Sequence, residues 1–162
     1  MLQSRILKAM IAISDGNLHD INHFLKVYSY AKLIGELEEL DDRTQLILEC
    51  AAIVHDIACP LCRSKYGSTM GKYQETEGMP LTQEFLKDFD MPEDEKERIV
   101  YLVGHHHTLK DIDGLDYQIL IEADFLVNAE ESGYSTEKIR NFKEKIFKTP
   151  TGISLLSDIY GV

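Results

Sequence analysis

Several things are scarce in this chain of 162 residues, and each scarcity narrows what it can be. Three cysteines (Cys50, Cys59 and Cys62) are an odd and small set in a chain long enough to bury its own core, so no disulfide framework is expected. No run of about 18 apolar residues is present, so no membrane-spanning segment is expected. Basic residues are outnumbered: 17 Lys and Arg against 28 Asp and Glu give a net charge of −11. A field of that sign repels nucleic-acid phosphates and anionic lipid, which excludes nucleic-acid polymers and membrane surfaces as expected partners. Any anionic substrate would need a local positive centre. Internal repeats, low-complexity tracts and linker-like stretches are also missing, so one domain over residues 1–162 is expected, resident in the cytoplasm.

What is present is helical periodicity. The N-terminal stretch places Leu2, Ile6, Leu7, Met10 and Ile13 at helical spacing, and Lys8 interrupts any leader-like apolar run, so an amphipathic first helix is expected. Residues 21–40 read as one long helix with His23, Val27, Tyr30 and Ile34 on a shared face. Asp41-Asp42 caps the next, where Ile47, Cys50, Ala51 and Val54 align, and Pro60 is expected to end it. Further helices are expected at 81–89, 93–107, 115–131 and 136–148, with an apolar tail at 153–160 that docks on the body. Alternation of strand type never runs beyond four residues, so the expected fold is all-α.

Residues 60–80, with Gly67, Gly71 and Gly78, are expected to form a loop of about twenty residues, a length that is usually functional. Arg63, Lys65 and Lys72 could form a phosphate-binding rim there, with Glu75 or Glu77 as a base or orienting group. The alternative is a solvated segment of mixed charge. Within it, Cys59-Pro60-Leu61-Cys62 is a CxxC motif, but a thioredoxin-like role needs a βαβ setting and a zinc site needs two more ligands. Partial burial of both thiols is expected instead.

The informative signal is polar residues at positions where core residues belong. His23 lies on an apolar stripe; His55 and Asp56 end the apolar run LILECAAIVHD; His106 follows Ile99, Leu102 and Val103; and Asp124 sits within ILIEADFLVN. A buried carboxylate costs several kcal/mol unless something cationic receives it. Singly, each group could be a hydrogen-bonded core residue. Together they are five metal-ligand-type side chains on four helices of a chain with six His. Histidine with carboxylate and no thiolate suits one divalent ion such as Mn, Fe, Ni, Co or Mg. His105, His106 and His107 cannot all face inward from one helix, and His106 is favoured, with His107 and His19 at the surface.

The order His23, His55-Asp56, Asp124, in the words DINHFLKVYSYA, AAIVHDIA, VGHHHT and IEADFLVN, resembles the H…HD…D signature of the HD-domain superfamily of metal-dependent phosphohydrolases. The likeness runs from about residue 20 to residue 128, with helices over 136–160 expected to dock on that core. It implies an all-α bundle in which His23, His55, Asp56 and Asp124 hold one divalent metal. It further implies hydrolysis of a small phosphorylated metabolite, a nucleotide above all, by a water that the metal activates. Asp56 would both bind metal and orient that water, Lys72 and Glu75 would complete the catalytic set, and Lys65, Lys72, His105 and His106 would position phosphate. Relatives with two metals carry another His between the doublet and the third block, and residues 57–104 contain none, which favours one metal unless Glu75 or Glu77 substitutes. The HDxxED motif of guanosine tetraphosphate hydrolases is missing, which disfavours that activity. A di-iron oxygenase on the same fold and a non-catalytic metal and nucleotide sensor are the alternatives. A homodimer is compatible with all three.

Overall fold

The computed structural model describes residues 1–162 and is built of nine helices with no strand. They are α1 (Leu2–Ile13), α2 (Leu18–Leu37), α3 (Asp42–Val54), α4 (Cys59–Tyr66), α5 (Gly71–Leu86), α6 (Glu93–Val103), α7 (Leu115–Glu131), α8 (Thr136–Lys145) and α9 (Pro150–Tyr160). The all-α expectation holds. Starts are set by local chemistry: the side chain of Asn17 accepts from the Asp20 N–H and Asp41 accepts from Arg43 and Thr44, each satisfying donors that a first helical turn leaves free. Ser135 does the same for α8 and Thr149 for α9, where Pro150 occupies the first turn.

Helices α2, α3 and α7 pack on one another at the centre. Helix α7 buries 13 of its 17 residues, so almost any side chain it carries faces protein, Asp124 included. Helix α1 contributes Ile6 and Met10 to the core and leaves Ile13 exposed, as an amphipathic helix should. By length and mean hydropathy, residues 42–66 could cross a membrane, but the stretch is broken by a turn at 55–58 and two-thirds of its apolar window (67%) is buried inside the bundle. It is a core element.

The region 60–80 corrects the sequence reading. It is not a loop: Pro60 does not end α3 but opens α4, and α5 runs through Gly78 and Pro80 to Leu86, absorbing the first part of the helix expected at 81–89. Only residues 67–70 connect the two helices, and Gly67, at φ +63°, supplies the left-handed turn between them. Gly78 serves closeness instead. A Cβ there would lie 2.9 Å from Val103 Cγ1, so the missing side chain is what lets α5 lie against α6. The expected helix 93–107 stops at Val103, and that expected at 136–148 stops at Lys145.

A buried carboxylate fixes the C-terminal helices. Glu122 on α7 accepts from the N–H groups of Lys148 and Thr149 (2.7 and 3.0 Å), from Gln118 Nε2 (2.7 Å) and from the Thr149 hydroxyl. No such role is visible in the sequence, where Glu122 is one acidic residue among several.

Candidate metal centre and adjoining cavity

Four segments converge on one point. His23 comes from the second turn of α2, His55 and Asp56 from the turn after α3, Asp124 from the middle of α7, and His106 from the turn after α6. The placement of His55 and Asp56 outside the helix matters. Neighbours on a helix diverge by about 100°, whereas a turn can send both inward. His23 Nε2 lies 3.2 Å from His55 Nε2, 3.2 Å from Asp124 Oδ1 and 3.3 Å from Asp56 Oδ2. His55 Nε2 lies 3.4 Å from Asp124 Oδ1 and 3.6 Å from Asp56 Oδ1.

These spacings fit a divalent cation. Donors bound at about 2.0–2.2 Å in tetrahedral or octahedral arrangement stand roughly 3.0–3.5 Å apart. The tautomers fit as well. His55 Nδ1–H donates to the Ala52 carbonyl (2.8 Å), His106 Nδ1–H donates to the Val103 carbonyl (2.8 Å) and His23 Nδ1–H donates to Glu131 Oε2 (2.7 Å). Each ring therefore presents Nε2 inward, as metal-bound imidazoles do when an outer acceptor fixes the other nitrogen. His106 Nε2 is buried, 3.5 Å from Asp56 Oδ1, and makes no hydrogen bond. An unpaired buried nitrogen beside a carboxylate is unusual for a core histidine and leaves that atom free for a ligand.

Electrostatics without a cation are strained toward protonation. Burial by itself lowers the His23 pKa, but the hydrogen bond with Asp124 and the charges of Asp56 and Asp124 overcome it and raise the value to about 10. Burial raises Asp124 and Asp56, yet the facing imidazoles hold both carboxyls well below the usual range. A proton on His23 thus occupies the place that a cation would take.

The last histidines behave differently from a helical reading. Because α6 ends at Val103, residues 104–107 form a turn, and the 100° rule does not govern them. Tyr117 on α7 braces this turn, its hydroxyl lying 2.7 and 2.6 Å from the carbonyls of His105 and Thr108. His105 stacks on Tyr101 and donates from Nδ1 to that residue's carbonyl, outside the cluster. His107 is exposed, as is His19, but its ring also reaches inward, and Asp56, His106 and His107 form a second group able to hold an ion. Asp56 belongs to both groups, the first being His23, His55 and Asp56. Neither Glu75 nor Glu77 belongs to either group.

The other expected residues lie off the cluster. Lys65 pairs with Glu77, which also accepts from the Tyr66 hydroxyl, and the Lys72 ammonium sits 4.8 Å over the Tyr73 ring. Glu75 accepts from the His107 N–H (3.1 Å) and the Thr108 hydroxyl (2.9 Å), so its carboxylate ties α5 to the histidine turn. All three cysteines are free and buried, and burial pushes the Cys50 thiol up to about 12 and the Cys59 thiol up further, so neither is a ready nucleophile. Glu131 was not legible in the sequence: it ends α7 in a charged run, and nothing there distinguishes it from Glu130.

A cavity of about 290 Å³ adjoins the cluster, with His106, His107 and Asp124 at its inner end and Phe125, Tyr134 and Phe142 on its outer wall. A smaller crevice, about 30 Å³ and large enough for one water, reaches Asp56 between α1 and α2, lined by Ser14, Asp20 and Phe24.

No curated protein and no solved structure matches the chain. The family model for the HD domain matches residues 20–143, a span that contains His23, the His55-Asp56 doublet, His106 and Asp124 and most of the helices that bring them together. The match covers most of the chain, and the chain belongs to the HD domain family, a superfamily of metal-dependent phosphohydrolases.

Proposed function

We propose that this protein is a phosphohydrolase that cleaves a small phosphorylated metabolite, a nucleotide in the first instance, with one divalent ion held by His23, His55, Asp56 and Asp124. The observation that carries the reading is the locking of three imidazoles by their Nδ1–H groups, which turns three Nε2 atoms toward two carboxylates beside an open cavity. A divalent ion bound there supplies positive charge for a phosphoryl group and lowers the pKa of water. That charge is what a chain of net −11 otherwise lacks for an anionic substrate.

The chain's own residues would do the rest. His107, at the inner end of the cavity, donates to a phosphoryl oxygen, and His106, when protonated beside Asp56, does the same from Nε2. Asp56 faces the water-sized crevice as well as the cluster, and its carboxylate orients the attacking water. Glu75 acts as a positioning residue by holding the His107 N–H and Thr108, and Glu131 orients His23. Lys65, Lys72 and His105, engaged elsewhere, have no part in this reading. A cytoplasmic setting belongs to it, supported by three unpaired thiols.

The test is phosphate release from a panel of nucleotides and sugar phosphates with each of Mn, Fe, Ni, Co and Mg, run beside Asp56→Asn. Turnover that needs a divalent ion and falls at least about 10³-fold in Asp56→Asn supports the reading. Nucleotide binding without release under every metal would favour the non-catalytic sensor instead.

A further inference from the structure

The cavity beside the cluster combines an aromatic wall with a complete lack of lysine and arginine. Phe125 and Phe142 stack with centroids 3.8 Å apart, and Tyr134 packs on Phe125 at 5.6 Å with its ring tilted, so the wall is a continuous aromatic surface. Facing the cavity from α5 is Gln74, 5% exposed; its Nε2 donates to the Thr69 carbonyl at 2.7 Å, which fixes the amide and leaves Oε1 without a partner. The polar remainder of the lining is neutral or histidine, with Asp124 the one carboxylate.

Cations in the neighbourhood are otherwise engaged. Arg63 pairs with Asp20 and Lys65 with Glu77, while Lys72 lies over Tyr73. Lys138 and Lys145 line the next groove, beyond Leu109 and Phe142, and the Lys138 ammonium sits 3.2 Å over the Tyr134 ring. A single phosphoryl group placed at the cluster would be neutralised there. Each further phosphate would lie in the cavity itself, whose lining carries no lysine or arginine, and within the field of Asp56 and Asp124.

Resting on the phosphohydrolase reading of this same site, the geometry points to a narrower ligand class: a phosphomonoester of a flat, uncharged, nucleoside-sized alcohol, with di- and triphosphates excluded. The cavity volume of about 290 Å³ lies at the small end of small-molecule sites and matches one ring system and its sugar. The ring packs on Phe142, the half-buried outer member of the stacked Phe142–Phe125 pair, and an N–H or O–H of the ligand donates to a neutral amide such as Gln74 or Asn128. Selection against polyphosphates comes from what the wall withholds, a counter-charge, rather than from a clash.

Equilibrium binding to the Mn²⁺-loaded protein tests this with AMP, ATP and glycerol phosphate, alongside phosphate release from each. AMP is expected to bind at least about tenfold more tightly than either of the others, the size of a single base–aromatic stack. Phe142→Ala should erase the advantage of AMP over glycerol phosphate. In Asn128→Lys, which adds the withheld charge at a half-buried position and does not disturb the core, ATP should gain at least about tenfold on AMP. ATP binding as tightly as AMP in the unaltered protein, glycerol phosphate matching AMP, or no binding of any of the three would overturn the assignment. Preferential hydrolysis of ATP would overturn it and leave the phosphohydrolase reading standing. Preferential binding of AMP without release would do the reverse.

Discussion

The Nδ1–H of His23 donates to Oε2 of Glu131 across 2.7 Å, joining the second turn of α2 to the last residue of α7. Lys26, one turn further along α2, holds the other oxygen of the same carboxylate at 2.8 Å. Glu131 therefore fixes both the tautomer and the orientation of a ring whose far nitrogen faces the cluster. Glu131→Ala is expected to weaken divalent-ion affinity by about 10–100-fold while leaving the fold intact, since outer partners of metal-bound histidines carry effects of that size. Competition with a chelator measures it, and Glu131→Gln, which keeps an acceptor, should lose less.

Proton and metal compete for His23. Its pKa in the metal-free fold is raised to about 10 from an ordinary 6.5, so the stabilisation this proton brings is complete below about pH 6.5 and is lost as pH rises through about 10. A bound cation must displace that proton. Metal affinity should therefore climb by about tenfold per pH unit between pH 7 and 9, with about one proton released per ion. Calorimetry in buffers of different ionisation enthalpy reads the proton directly, and a pH-independent affinity would contradict the geometry around His23.

Gly71 permits the close approach of α5 to the histidine turn. A Cβ there would lie 2.8 Å from both Cβ and Cγ of His107, which must move to admit it. Gly71→Ala is expected to cost about 1–3 kcal/mol of stability, in the range of overpacked sites, and to reduce turnover more than metal content. His107 and His106 share that turn, whereas His23, His55 and Asp124 do not. Urea unfolding and metal analysis of one preparation separate the two effects.

The buried cluster of His23, His55, Asp56 and Asp124 was legible because burial and polarity conflict at those positions. His23 interrupts an apolar stripe and Asp124 sits in the middle of α7, the helix the chain buries most completely. Residues 60–80 were not legible, because their glycines and prolines read as breakers. In the fold, Gly78 and Gly71 are small for the sake of contacts with Val103 and His107, and Pro60 begins a helix. Those reasons lie in tertiary packing, which local composition does not carry. The His105–His107 run was legible in part: His106 is buried and His107 exposed as expected, but the helix ends at Val103, so His107 also reaches the cavity while His105 turns onto Tyr101. Glu131 and Glu122 look like ordinary surface acids in sequence, and only their partners give them roles.

Glu122 is fully buried and accepts hydrogen bonds from two backbone N–H groups at the start of α9. Glu122→Leu should destabilise the protein by about 3 kcal/mol, through donors left unsatisfied in the interior. Metal content per folded chain should not change, because the carboxylate faces α9 and not the cluster. Chemical denaturation with metal analysis distinguishes this from a role in ion binding.

The measurement that bears most directly on the metal centre is elemental analysis of protein purified without chelators, in the unaltered chain and in Asp124→Ala. One divalent ion per chain in the first and none in the second, with phosphate release lost in step, is the expected result. An unaltered chain that holds no ion and takes none up when supplied, or an Asp124→Ala chain that keeps its ion in full, would mean that the four residues are core hydrogen-bonding groups and not a metal centre.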